Sequence, residues 1–94
     1  MSDSGEAVVL KVGGGSDPRA VGSTLAHSLV EGKQVSLRAV GAGAVNQAIK
    51  AVAIATQWTA PRGYGLAAIP GFEDVEGRDG TKISAITLKI MKLQ

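Results

Sequence analysis

Arg38-Ala39-Val40-Gly41-Ala42-Gly43-Ala44-Val45-Asn46-Gln47-Ala48-Ile49-Lys50-Ala51-Val52-Ala53-Ile54-Ala55-Thr56-Gln57-Trp58 is the stretch on which the fold turns. The end of a strand runs into a Gly-Ala-Gly turn and then into a long helix. Glycine lets the backbone bend sharply and approach a neighbour closely, and alanine is the best helix former. Gly43 is the turn position where a positive φ would make substitution costly. Val45, Ile49, Val52 and Thr56 recur at helical spacing and are expected to face a sheet. Asn46, Lys50 and Gln57 then lie on the wet side. A third stripe, Gln47, Ala51, Ile54 and Trp58, is too apolar for a solvated face. Its later members Ala51, Ile54 and Trp58 either cover the edge of the core or form an oligomer interface.

Working outward, the same succession occurs once before. Ala7 to Val12 alternates as a strand, with Val8, Leu10 and Val12 on one face and Val9 and Lys11 on the other. Gly13-Gly14-Gly15-Ser16 follows, and Asp17-Pro18 has the form of an N-cap and first helical residue. That helix is expected to run to about Glu31 and to stop at Gly32. Val21, Leu25 and Leu29 make its inner stripe, and Arg19, Ser23, His27 and Glu31 its wet one. Gln34 to Val40 is the second strand, with Val35, Leu37 and Ala39 opposite Ser36 and Arg38. Two strand–turn–helix units place these strands in parallel.

After a loop at Thr59 to Gly63, Tyr64 to Ile69 reads as a third strand. Pro70-Gly71 interrupts it and assigns it to an edge. Phe72 to Gly80 reads as a polar hairpin, and Thr81 to Leu93 as the longest strand. The fold class is therefore α/β, in detail an α+β two-layer sandwich: four strands with both helices on one sheet face. Met1 to Glu6 is small and polar, a frayed tail ahead of a single domain over residues 7–94.

Composition narrows the function. At 94 residues with 45% hydrophobic and 19% charged residues, the chain can bury one core, and with 3% aromatics that core is aliphatic. There is no cysteine, so disulfides and thiolate metal sites are excluded. With no signal peptide or membrane-length apolar run, a cytoplasmic protein without membrane association is expected. A net charge of +2 permits nucleic-acid binding without demanding it. No catalytic triad, metal motif or cofactor motif is present, so neither enzyme activity nor a cofactor is expected. His27 reads as a solvated surface histidine.

A family resemblance sits on the same residues. Leu10-Lys11-Val12, Gly41-Ala42-Gly43-Ala44, Asn46-Gln47-Ala48-Ile49-Lys50-Ala51-Val52, Ala60-Pro61, Ile69-Pro70 and Phe72 resemble the bacterial stage V sporulation protein S family, over about Val8 to Leu93. More distantly, the helix start is similar to that of the archaeal Alba chromatin proteins. The resemblance implies an Alba-like β-α-β-α-β-β order, with the fourth strand antiparallel between the second and third in a mixed four-stranded sheet. It also implies a regulatory role in sporulation or development; with the apolar stripe of the long helix, a homo-oligomer, a dimer or larger, is expected, with nucleic acid as partner. Alba proteins bind nucleic acid through lysines of the first loop and a basic hairpin arm. Here the first loop has no lysine, and the hairpin is more acidic than basic.

Phosphate contacts are therefore assigned to a scattered basic set: Lys11, Arg19, Arg38, Lys50, Arg78, Lys82 and Lys89. Lys11, Arg38 and Lys89 share the strand parity opposite to the buried leucines, so they are expected on the uncovered sheet face. The two turns, Gly13-Gly14-Gly15-Ser16 and Gly41-Ala42-Gly43, either only shape the chain or form an anion site at helix N-termini. Two other functions follow from these features: a module binding a small phosphorylated ligand or nucleotide at the turns, and a purely structural oligomer. A small ligand requires a closed pocket there, and nucleic acid a basic surface continuous across an oligomer.

Overall fold

The computed structural model describes residues 5–93. The expected tail residues Met1 to Ser4, and Gln94 at the domain's end, lie outside the described residues. Glu6 belongs with the sheet more than with a tail, because its carbonyl accepts from the Gln34 N–H at 2.9 Å.

In chain order the elements are β1 (Ala7–Val12), α1 (Pro18–Val30), β2 (Gln34–Ala39), α2 (Ala42–Thr59), a 3-10 turn (Ala60–Arg62), β3 (Gly65–Glu76) and β4 (Lys82–Leu93). The four strands form one mixed sheet in the order β1-β2-β4-β3. β1 and β2 are parallel, and β4 runs antiparallel to both β2 and β3. This is the Alba-like arrangement, with the last strand central.

Local chemistry explains the boundaries. The Asp17 carboxylate accepts from the Arg19 N–H at 3.0 Å, and Pro18 opens α1. Gly32, at φ +84°, takes the left-handed conformation that ends the helix. Val8, Leu10, Val12, Val35, Leu37, Ala39, Leu88 and Ile90 turn the same sheet face toward Leu25 and Leu29 of α1 and toward α2. The opposite sheet face has no layer over it among the described residues.

Two expectations need correction. The stripe of α2 that faces inward is Ala44, Ala48, Ala51, Ala55 and Thr59, all buried. Ile49 is half-exposed, and Val45, Val52 and Thr56 are only partly covered. Alanines let α2 lie close to the sheet and to α1 together, which displaces the bulkier side chains to its flank. Strand β3 also continues through Pro70-Gly71 to Glu76, paired with β4 without a break from Gly65↔Leu93 to Glu76↔Lys82. Proline is tolerated because β3 is an edge strand.

A close backbone approach lies between the helices. A Cβ added at Gly22 would stand 2.9 Å from the Ala51 carbonyl oxygen and 3.0 Å from Ile54 Cγ2. Gly22→Ala should therefore destabilise by about 1–3 kcal/mol through overpacking, although alanine is the better helix former by about 1 kcal/mol. Gly15→Ala, with nothing within 4 Å, should leave chemical denaturation unchanged. Equal midpoints for the two variants would show that the helices are not in contact there.

Candidate functional site

Both glycine turns stand at one end of the sheet, beyond the C-terminal ends of the parallel strands β1 and β2. They meet: a Cβ at Gly43 would lie 3.8 Å from Gly14 Cα. The first turn is closed by its own serine. The Gly13 N–H donates to Ser16 Oγ at 2.8 Å, and the Ser16 N–H donates to the Gly13 carbonyl at 3.1 Å. Gln47 Nε2 donates to the Ser16 carbonyl at 2.8 Å and ties α2 to this loop. Helix α2 starts from Gly41 with no side-chain cap. Gly41, at φ +90°, is the strained position of the second turn; Gly43 is already helical. Ala42 and Gly43 form the exposed first turn of α2.

The long hairpin projects past the same end. Pairing of β2 with β4 stops at Ala39↔Ile86, so Glu73 to Glu76 and Lys82 to Ala85 pair only with each other. Asp79 shapes the tip. Its carboxylate accepts from the Thr81 hydroxyl at 2.7 Å and from the Thr81 N–H at 3.1 Å. These bonds, the hydroxyl's first, hold its pKa below the usual carboxylate value.

The cations divide by position. Lys11 and Arg38 are register partners on the uncovered face. Arg19 opens α1 at the glycine end, and Arg78 and Lys82 sit on the projecting arm. Lys50 on the outside of α2 and Lys89 farther along β4 stand apart from this group. Lys11, Arg19, Lys50, Arg78, Lys82 and Lys89 are all exposed. Arg38 departs from expectation, because it is not a free cation. Its Nε and Nη2 donate to the two carboxylate oxygens of Glu73 at 2.9 and 3.0 Å, an ion pair that crosses β4.

The expected interface stripe is also redistributed. Ala51 is fully buried and unavailable to a partner, and Ile54 packs over Gly22. Helix α1 covers Ala51 and part of Ile54. Trp58 remains half-exposed, its ring 6.2 Å from that of His27. Sequence reasoning passed over the apolar surface on the other flank of α2, where Ile49 is 49% exposed, and Phe72 on the arm at 81%. Ile49 falls on the stripe that helical spacing directs to the core, and Phe72 stands next to Glu73 and Asp74, which mask its apolar character.

The central β4, the paired glycine turns and the projecting arm together make one continuous unit. The model of the Stage V sporulation protein S (SpoVS) family matches residues 8–93. The chain belongs to that family. The match runs from within β1 to the end of β4 and so takes in both turns, both helices and the arm; the protein is a small member of a sporulation family. Among the described residues no helix is long and apolar enough to cross a membrane.

Two outcomes test this geometry. Gly41→Ala should cost about 1–3 kcal/mol because of its positive φ, whereas Gly43→Ala should be neutral or gain up to about 1 kcal/mol. Denaturation midpoints in the reverse order would overturn the assignment of the strained glycine. Thr81→Val should raise the Asp79 pKa toward the ordinary carboxylate value in an NMR titration. A folded pKa below the unfolded one contributes stability above the ordinary carboxylate range and loses it as pH falls. The variant should therefore be the less acid-sensitive of the two.

Proposed function

We propose that this SpoVS protein is a non-enzymatic, self-associating nucleic-acid-binding protein of the cytoplasm with a regulatory part in sporulation. It would hold phosphodiester backbones at the glycine-turn end. One observation carries this: Lys11, Arg19, Arg78 and Lys82 are exposed, without an ion-pair partner among the described residues, at the end where the uncapped start of α2 and the projecting arm converge. Phosphate contact needs cations and free backbone N–H groups, and it reads little sequence.

The arm limits the strength. It carries Glu73, Asp74, Glu76 and Asp79 against Arg78 and Lys82. A single copy should therefore bind weakly, and linked copies much better. The half-exposed flank of α2 at Ile49, with Phe72 on the arm, supplies apolar surface through which copies would associate. The small-ligand alternative has less support. Ser16 spends its hydroxyl within the loop, and the hollow beside Gly13 is an open trough rather than a closed pocket.

A salt series with a generic duplex tests the proposal. The triple change Lys11→Ala, Arg19→Ala and Arg78→Ala should weaken binding to all sequences alike. It should reduce the slope of log K against log salt by about 2.7, roughly 0.9 for each lost contact. Binding indifferent to salt would sink the mechanism. Phe72→Glu with Ile49→Glu should yield a folded protein of smaller size in solution and weaker duplex affinity. A wild type that sediments as a monomer would remove the self-association.

A further inference from the structure

Arg38 and Lys11 lie side by side on the uncovered sheet face, and with Gly13 and Glu76 they line an open trough of about 560 Å³. Glu73 reaches in from β3, across β4, and meets the Arg38 guanidinium edge-on through two parallel hydrogen bonds of 2.9 and 3.0 Å. A phosphate presents its oxygens to arginine in the same two-pronged way. The lining carries Lys11 and Arg38 against Glu76, and Glu73, bound to Arg38 from outside the lining, brings the local charge to balance. The trough therefore offers an incoming anion the right donors but no net attraction.

The pair is unequal in its surroundings. The Glu73 side chain is 42% exposed and that of Arg38 25%. The carboxylate is the outer member and can rotate into water without disturbing the core, which lies on the other sheet face.

We propose that this trough is an oxyanion subsite for a nucleic-acid phosphodiester, and that Glu73 occupies its arginine in the free protein as a built-in competitor. The inference rests on the phosphate contacts proposed above and specifies how they are regulated. A phosphodiester entering beside Lys11 replaces the carboxylate on Arg38, and Glu73 turns outward. Duplex binding by the wild type is weakened by that exchange. Any event that neutralises or withdraws Glu73 adds one full phosphate contact.

The test is a cycle of Glu73→Gln, Arg38→Ala and the double variant, measured against a generic duplex across a salt series. Glutamine keeps the length of glutamate but removes its charge and replaces one accepting oxygen with an NH2 group that cannot accept from the guanidinium. Glu73→Gln should bind about tenfold more tightly at low salt and steepen the salt slope by about 0.9, the value of one added contact. Both effects should vanish in the Arg38→Ala background. The Arg38 Nε–H NMR signal, titrated with pyrophosphate, should respond at lower concentration in Glu73→Gln than in the wild type. A folded Glu73→Gln with wild-type affinity and slope overturns the inference and leaves the nucleic-acid function standing. If no variant binds duplex while the Arg38 signal still answers pyrophosphate more readily in Glu73→Gln, the subsite stands and the nucleic-acid function falls. If Glu73→Gln does not fold, Glu73→Asp, too short for the full reach, should show a smaller gain of the same sign. Failure of both to fold assigns the pair to structure alone and overturns the inference.

Discussion

The close approach of α1 and α2 is the constraint on which the rest depends. A chain this small, with a core made largely of alanine, valine and leucine, has few large side chains to fill the space between layers. It gains density by bringing backbones together instead. Gly22 of α1 lies against the Ala51 carbonyl and Ile54 of α2, leaving no room even for a methyl group. Alanines at positions 44, 48, 51 and 55 let the same helix lie down on the sheet.

That packing also positions the glycine-turn end. Once α2 lies against α1, its start must sit beside the loop that precedes α1. This is why Gly14 faces Gly43 and why Gln47 can reach the Ser16 carbonyl. The side chains that α2 cannot fit inward, Ile49 above all, become surface on the opposite flank. Tight alanine packing and an exposed apolar flank are two consequences of the same geometry.

Much of this was legible in the sequence, and the exceptions have physical reasons. Strand parity was readable because Leu10, Leu37 and Leu88 alternate with Lys11, Arg38 and Lys89, a period-two signal that no helix produces. Helix starts were readable from Asp17-Pro18 and from the Gly-Ala-Gly turn. The inward face of α2 was not. Alanine carries little hydropathic contrast, so the larger residues one position along dominated the pattern. The passage of β3 through Pro70 depended on which side of that strand was unpaired, a fact of sheet order rather than of local sequence. The fate of Arg38 was hidden for a related reason. Its partner is 35 residues away and lies not on a neighbouring strand but on the next one over. No pairwise register rule connects them.

The charge pattern of the arm gains meaning from this arrangement. A projecting hairpin built to grip a polyanion by itself would be expected to carry mostly cations. Here four carboxylates accompany two cations, and one of those carboxylates reaches back across the sheet to the arginine beside Lys11. The pair is part-buried and two-pronged, so it helps hold the base of the arm to the sheet, while solvent at the half-exposed Glu73 screens that contribution. It also changes the field at the glycine end. Screening confines such an effect to about 10 Å at moderate salt, and the trough lies within that range of the bonded guanidinium. The arm therefore subtracts charge from the glycine end where the parallel strands have placed it. Under the proposed phosphate binding, affinity would be set by a balance between two parts of one chain rather than by the count of its basic residues.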